Sequence, residues 1–227
     1  MPWVAHAGGG FNGLSYTDSI DALKHNAQKY DLFELDFVFT VDGHLVCMHD
    51  WNESAIRTFG RALTPPPTLA EFEHLVAANP LYKNCTAASL KQWLSENPAK
   101  KIVTDIKGDN LAGLGYIANN FPDFQNRFIP QIYTPDEYAA AQALGFKDII
   151  WTLYQYRARN AEVMRQVQTM DLFAVTMNEK RARKGLACTL AKQGISSYVH
   201  TINDATKAQA LFRRGVSGVY TDTLSTQ

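Results

Sequence analysis

The stretch FELDFVFTVDGHLVCMHDW, residues 33–51, decides the fold, because it places acidic side chains where a strand should be apolar. Glu34 and Asp36 interrupt an otherwise apolar segment, and the chain returns to His49 after a turn. A buried carboxylate is costly unless it is paired or binds a metal. Since side chains alternate along a strand, Glu34 and Asp36 share one face. The apolar side chains of this strand are expected to face the helix layer: Phe33, Leu35 and Phe37.

The turn is predicted at Asp42-Gly43, which lies between alternating apolar residues. An Asp-Gly pair in this setting is the strongest short-range indication of a β-hairpin with a two-residue loop. That loop sets a register in which Asp36 lies opposite His49, and directly opposed residues share a face. The sequence therefore predicts that Glu34, Asp36 and His49 converge.

The rest of the chain alternates between short β-rich segments and helices, which predicts βα units and a parallel sheet. Nine strands are expected, one more than a (β/α)8 barrel needs. The connection through residues 39–45 is too short for a helical crossover between parallel strands. We therefore predict an α/β fold in which residues 1–227 form a single (β/α)8 TIM barrel, with a β-hairpin arm after the second strand.

Composition restricts the partners and the location of the protein. The net charge is zero, from 22 basic and 22 acidic residues, so no nucleic-acid partner is expected. No apolar run approaches the length of a transmembrane segment, and the N-terminus lacks the features of a signal peptide. These observations predict a cytoplasmic protein or a domain excised from a longer chain. They say nothing about the oligomeric state.

Three widely spaced cysteines, Cys47, Cys85 and Cys188, are the complete set, and they form no CxxC motif. An odd number at such spacing predicts reduced thiols that pack as small apolar side chains.

Further polar residues fall at the ends of other predicted strands. His6 ends the first strand, directly before the glycine run 8–10, whose N–H groups can face an anion. Asp105 and Lys107 share a face at the end of the strand over residues 101–107. Active sites of TIM barrels are built at these strand ends. We expect His6, Asp105 and Lys107 to join Glu34, Asp36 and His49 around one opening.

The chemistry of this set suits a phosphodiester. Three carboxylates, Glu34, Asp36 and Asp105, are the hard oxygen ligands that Mg²⁺ or Ca²⁺ prefers. Two histidines beside a cation suit general acid–base catalysis, with the metal neutralising the phosphate. Each element has a simpler interpretation when taken alone. A single strand-end histidine is more often structural, paired acids can bind lysines, and the charged run Lys180–Lys184 is most simply a solvated helix start.

Several motifs together resemble the glycerophosphodiester phosphodiesterases, a family within the phosphatidylinositol-phospholipase-C-like phosphodiesterase barrels. The motifs are H-x-G-G at 6–9, E-L-D at 34–36, T-x-D-G-x-L-V-x-x-H-D at 40–50, T-D-I-K at 104–107, T-I-N-D at 201–204 and G-V-x-G-V-Y-T-D at 215–222. The resemblance implies a TIM barrel of lipid metabolism that cleaves a glycerophosphodiester to an alcohol and sn-glycerol 3-phosphate with a divalent metal.

The resemblance also implies roles for individual residues. His6 and His49 match the acid and base of the family, without an assignment of which is which. Glu34, Asp36 and Asp105 match the metal ligands. Substrate contacts fall on three positions: Lys107, Gly8 and His200.

The chain departs from the family pattern at four places. Ala7 stands in place of the arginine of H-R-G, and Y-T-D-S at 16–19 replaces P-E-N-T. Asp105 replaces the more common glutamate, and His200 replaces a tryptophan. The lost arginine would remove a charge-assisted phosphate contact.

The sequence thus predicts a metal-dependent phosphodiester hydrolase with two-histidine acid–base catalysis, acting on a small glycerophosphodiester-like molecule. Two alternatives stay open. One is a catalytically impaired barrel that binds phosphodiesters or polysaccharides. The other is a phosphodiesterase or lyase acting on a phosphate-linked glycan or a lysolipid.

Overall fold

A computed structural model of the protein describes residues 3–225, in which eight parallel strands close into a barrel. The ring order is β1-β9-β8-β7-β6-β5-β4-β2, and pairing of β1 with β2 closes it. The nine strands are β1 Val4–Ala5, β2 Leu32–Phe39, β3 Leu45–Cys47, β4 Lys101–Ile106, β5 Phe128–Ile132, β6 Ile150–Thr152, β7 Ala174–Asn178, β8 Ser197–His200 and β9 Gly218–Thr221. The predicted TIM barrel is confirmed.

Helices surround the ring of strands. They are α1 Ile20–Asn26, α2 Glu53–Phe59, α3 Leu69–Ala78, α4 Ala87–Glu96, α5 Asn110–Asn120, α6 Glu137–Ala143, α7 Asn160–Gln166, α8 Glu179–Arg183, α9 Leu186–Lys192 and α10 Ala205–Phe212. Short 3₁₀ segments add His6–Gly8, Pro122–Arg127 and Val167–Thr169. The core between strands and helices contains Phe33, Leu35 and Phe37, as the strand alternation predicted. Within residues 3–225, no helix is both long and apolar enough to cross a bilayer.

The arm formed by β3 lies outside the ring and pairs antiparallel with β2, but its register differs by one residue from the prediction. Asp36 lies opposite Met48, whose N–H donates to the Asp36 carbonyl at 3.0 Å, rather than opposite His49. The loop has three residues, 41–43, and only Gly43 among them has a positive φ, of 80°. A two-residue type I′ turn would need positive φ at both central positions. The predicted pairing was therefore wrong, although the hairpin itself is present.

A disulfide joins Cys47 of the arm to Cys85, which precedes α4, so the expectation of reduced thiols was wrong for this pair. The Cys47 N–H donates to the Cys85 carbonyl at 2.9 Å, and the two Cα atoms lie 5.0 Å apart, a normal spacing for a disulfide. Cys188 is free, but it is exposed rather than packed.

The interior of the barrel changes from apolar to polar along every strand. One cluster takes a buried side chain from each of the eight ring strands: Val4, Leu32, Val103, Ile129, Ile150, Ala174, Tyr198 and Tyr220. Because strand side chains repeat every two residues, the next inward positions lie two residues further on. These are His6, Glu34, Asp105, Gln131, Thr152, Thr176, His200 and Asp222. The apolar layer thus forms the base of a polar layer at the carboxyl ends of the strands, where TIM barrels carry their active sites.

Candidate active site

A pocket of about 250 Å³ opens above the apolar layer of the barrel. Twelve residues line it: His6, Tyr16, Glu34, Asp36, His49, Asp105, Gln131, Thr152, Tyr154, Thr176, His200 and Tyr220. Six of the eight site residues expected from the sequence are therefore brought together, five of them by strand periodicity. His49 arrives differently, since the chain bends after β3 ends and carries the histidine over the opening.

Glu34, Asp36 and Asp105 form the acidic centre of the pocket. Each offers a carboxylate oxygen, and these atoms lie within 4.8 Å of one another. Glu34 and Asp36 are 2% exposed. One Glu34 oxygen accepts the N–H of Ala7 at 2.8 Å, whereas Oδ2 of Asp36 is buried and accepts no hydrogen bond. A buried carboxylate oxygen without a hydrogen-bond donor, inside a cluster of three acids, could serve as a ligand of a divalent cation.

Lys107 supplies one positive charge to this cluster. Its Nζ lies 2.8 Å from Oδ1 of Asp36 and 3.0 Å from Oδ2 of Asp105. Burial alone would lower the pKa of Lys107, but the charges of Asp105 and Asp36 outweigh it and raise that pKa above its usual range. Asp105 also accepts hydrogen bonds from the Tyr133 hydroxyl and, at 3.2 Å, from the Tyr154 hydroxyl. One lysine against three acids leaves the centre with an excess of negative charge.

Burial of this excess charge favours the protonated acids. The pKa of Glu34 is raised well above its usual value, first by burial and then by the charges of Asp36 and Asp105. Burial likewise raises the pKa of Asp36, against the lowering effect of Lys107. Asp18, which accepts the Asp36 N–H at 3.0 Å, has a pKa that is raised first by burial and then by the charges of Asp36 and Glu34. A bound cation would remove this penalty.

The raised pKa values predict an unusual dependence of stability on pH for the cation-free protein. The buried acids stabilise the fold while protonated, and that contribution is lost as the pH rises through their raised folded pKa values. We expect the free energy of unfolding in EDTA to increase by about 1–3 kcal/mol when the pH falls from about 8 to about 5. Saturating Ca²⁺ should flatten this dependence. Urea unfolding at a series of pH values measures both effects, and a stability that falls with acidification over this range would contradict the prediction.

His6 is held by a carboxylate, that of Asp222, for which no role was predicted. Its Nδ1 lies 2.8 Å from Oδ1 of Asp222, and the Asn203 amide donates to the other Asp222 oxygen at 2.6 Å. Burial raises the pKa of Asp222, but the hydrogen bonds from His6 and Asn203 outweigh it and lower that pKa. Asp222 therefore stays ionised, which fixes a proton on Nδ1 of His6 and leaves Nε2 available. Asp222 belongs to the G-V-x-G-V-Y-T-D motif, but the histidine that it contacts lies 216 residues earlier in the sequence.

His49 has an equivalent support from its neighbour in sequence. Its Nδ1 lies 2.8 Å from Oδ2 of Asp50, and Asp50 also accepts the N–H groups of Asn52 and Ser54. Burial raises the pKa of Asp50, but hydrogen bonds from His49 and Ser54 outweigh it and lower that pKa. Both pocket histidines thus present Nε2 while an ionised aspartate holds Nδ1.

Tyr16 is a pocket residue for which no role was predicted. Its ring packs edge-on against the His6 ring at 4.4 Å and against the His49 ring at 6.0 Å, measured between centroids. Burial, followed by the charges of Asp36 and Glu34, raises the pKa of Tyr16, so the phenol stays protonated. Its φ of 61° is rare outside glycine, and such strain is typical of functional segments. Tyr16 therefore lies between the two histidines at the opening.

Of two residues expected to contact the substrate, His200 lines the pocket and Gly8 does not. His200 lines the pocket, and its Nε2 is buried without a hydrogen-bond partner. Gly8 does not line the pocket. It is buried with φ 85°, and a Cβ there would lie 3.2 Å from the Ala22 side chain, so the glycine serves the close packing of α1.

Comparison with known proteins identifies the family of the chain. The model of the glycerophosphoryl diester phosphodiesterase family matches residues 10–226, a span that begins after His6. No curated protein matches the chain.

Solved structures show the same barrel. A glycerophosphodiester phosphodiesterase from Thermotoga maritima is 22% identical, with a TM-score of 0.70 over 96% of this chain and 93% of that chain. One from Parabacteroides distasonis is 15% identical, with a TM-score of 0.74 over 97% and 92% of the two chains. A phosphodiesterase from Oleispira antarctica, solved in complex with the product sn-glycerol-3-phosphate, is 16% identical, with a TM-score of 0.74 over 98% and 93%. Since the family match spans nearly the whole chain, the chain belongs to the glycerophosphoryl diester phosphodiesterase family and is a phosphoric diester hydrolase.

Proposed function

We propose that the protein hydrolyses a glycerophosphodiester-like substrate to an alcohol and a phosphomonoester, with His6 and His49 as the acid–base pair. One observation carries this proposal: a single pocket combines three clustered acids with two histidines that are each backed by an aspartate. We also propose that residues 1–227 form one phosphodiesterase domain. The ring of strands, which runs from Val4 to Thr221, supports that proposal, while residues 1, 2, 226 and 227 lie outside the described residues.

Glu34, Asp36 and Asp105 are proposed to hold a divalent cation, Mg²⁺ or Ca²⁺. Their donors are all carboxylate oxygens, they are close enough to share one ion, and the unpartnered Oδ2 of Asp36 is a free ligand atom among them. When bound, the cation would neutralise charge on the phosphate and withdraw electrons from it.

The two histidines carry the proton transfers in this proposal. With Nδ1 held by Asp222 or Asp50, each ring can take or give a proton only through Nε2. One Nε2 removes a proton from the attacking hydroxyl, either of water or of a neighbouring group on the substrate. The other protonates the leaving alkoxide. The aspartates stabilise whichever ring becomes charged.

Lys107 and His200 are proposed to contact the substrate. Lys107 holds a positive charge at the edge of the acidic cluster, where it can approach a phosphate oxygen. This charge partly replaces that of the arginine whose place Ala7 takes. Burial lowers the pKa of His200, so its ring is neutral at neutral pH and its unpartnered Nε2 can serve a substrate hydroxyl. The product complex of the Oleispira antarctica relative supports glycerol as one substrate moiety.

The test is an assay on bis(p-nitrophenyl) phosphate, glycerophosphocholine, lysolipids and phosphate-linked glycans, with Mg²⁺, Ca²⁺ or EDTA. Hydrolysis that requires a divalent cation is the expected result. Tight cation binding without turnover of any diester would support a binding barrel instead. Hydrolysis of glycans or lysolipids alone would show that small glycerophosphodiesters are not the substrate.

The D105N substitution tests the cation site. It keeps the shape of Asp105 but removes a charge, so the protein should fold. We expect the cation affinity to fall by at least about 100-fold, because partners that only orient metal ligands already contribute about 10–100-fold. Isothermal titration with Ca²⁺ measures this affinity. D123N, at an exposed aspartate on a 3₁₀ segment, is the matched control. Equal affinities in the two variants would refute the proposed ligand set.

A further inference from the structure

A second pocket, a shallow and wide-open depression of about 610 Å³, adjoins the active site. Its lining residues are Asn178, Glu179, Lys180, Arg183, Lys184 and His200. His200 also lines the catalytic pocket, so this residue is the wall between the two spaces. Asn178 is the last residue of β7, which puts the second pocket on the same rim of the barrel as the acids. A diester bound at the proposed cation site can therefore extend past His200 into the second pocket.

The second pocket carries an excess of positive charge. Arg183 is paired with Glu179, with its Nε 2.7 Å from Oε1. Lys180 and Lys184 are exposed, and neither forms an ion pair with any of the residues 3–225. The chain as a whole has no net charge. Two unpaired lysines in one pocket are thus a local feature rather than a reflection of composition, and they attract anions.

The basic side chains of residues 180–184 do not all point into solvent. Arg181, within the same basic run, turns away and donates to the carbonyls of Tyr156 and Ala158 at 2.7 and 2.6 Å. These bonds fix the start of α8 against the loop after β6. The other three basic residues of the run, which are Lys180, Arg183 and Lys184, are left lining the second pocket.

We propose that this basic pocket binds a second anionic group of the substrate, a phosphate or a carboxylate attached to the alcohol side of the diester. The inference rests on the proposed function and refines its substrate class. The Nε2 of His200, buried and without a partner, offers a hydrogen bond to the part of the substrate that passes between the two pockets. Binding energy from such a remote group improves kcat/KM for diesters that carry it.

Two matched substrate pairs test the proposal and separate the two anions. Glycerophosphoserine and glycerophosphoethanolamine differ by one carboxylate, and glycerophosphoglycerophosphate and glycerophosphoglycerol differ by one terminal phosphate. The wild-type protein should prefer the more anionic member of at least one pair. In the variant K180A/K184A, that preference in kcat/KM should fall by about tenfold, a modest factor because exposed charge pairs are weak. The assay is run at low salt because ions screen such pairs. The pair that responds identifies the anion.

The control is K192A, which removes an exposed lysine of α9 outside the pocket and should leave the preference unchanged. Equal preferences in the wild-type protein and K180A/K184A would overturn the proposal. If no diester is hydrolysed, the proposed function fails, but calorimetric binding of the same pairs in the presence of Ca²⁺ still tests the pocket. Tighter binding of the anionic member that disappears in K180A/K184A would support the pocket, and equal affinities for both members would refute it.

Discussion

Replacement of His49 by alanine is expected to lower kcat for glycerophosphocholine by about 10²–10⁴-fold, which is the usual contribution of a positioned general acid or base. The His49 side chain is 39% exposed and contributes little packing, so H49A should fold like the wild-type protein. Circular dichroism and urea unfolding check the fold, and steady-state kinetics check the turnover. The control is H74A, at an exposed histidine of α3, which should keep full activity.

H49A and the corresponding variant H6A can together assign the acid and the base. p-Nitrophenolate leaves without protonation, so loss of the general acid should slow bis(p-nitrophenyl) phosphate far less than glycerophosphocholine. Loss of the base should slow both substrates alike. H6A and H49A are therefore expected to differ in their ratio of activities on these two substrates. Undiminished turnover of glycerophosphocholine by H49A would exclude His49 from proton transfer.

Loss of the Cys47–Cys85 disulfide is expected to lower the free energy of unfolding by about 3–4 kcal/mol, the chain-entropy value for a loop of 38 residues. The bond ties the arm that leads to His49 to the segment before α4. Hydrogen bonds from the Asn84 amide to the carbonyls of Thr17 and Cys47 add to the same junction. Urea unfolding of C85S against the wild-type protein measures the loss.

C188S, at the free and exposed cysteine, is the control and should unfold like the wild-type protein. Because Cys47 and Cys85 are at most 1% exposed, a reductant should lower the stability of the wild-type protein only once unfolding exposes the bond. Equal midpoints for C85S and the wild-type protein would contradict the stabilising role.

The sequence predicted the parts of the site that depend on strand periodicity. Glu34 and Asp105 point inward because each lies two residues beyond an inward apolar residue, Leu32 or Val103. This alternation is a local property of the chain. The ring count could also be predicted, since the connection after β2 was too short for a crossover helix.

The features that the sequence predicted wrongly or not at all depend on contacts between distant segments or on fine backbone geometry. Asp-Gly fits both a two-residue and a three-residue loop, so the sequence could not decide the register of the arm. The disulfide forms because the arm meets a segment 38 residues away. Tyr16 and Asp222 reach the histidines only through the folded loop 9–18 and the closure of the ring.

Closure of the ring of strands also divides the barrel into two arcs, and mutations in the two arcs would change different groups of the site. The adjacent strands β9, β1, β2 and β4 supply or precede the acids, His6 and its aspartate, whereas β6, β7 and β8 supply the opposite wall with Thr152, Thr176 and His200. A directed-evolution library confined to the second arc would vary molecular recognition and leave the proposed proton-transfer groups untouched. Natural drift in that arc offers descendants of this enzyme the same route to new substrates.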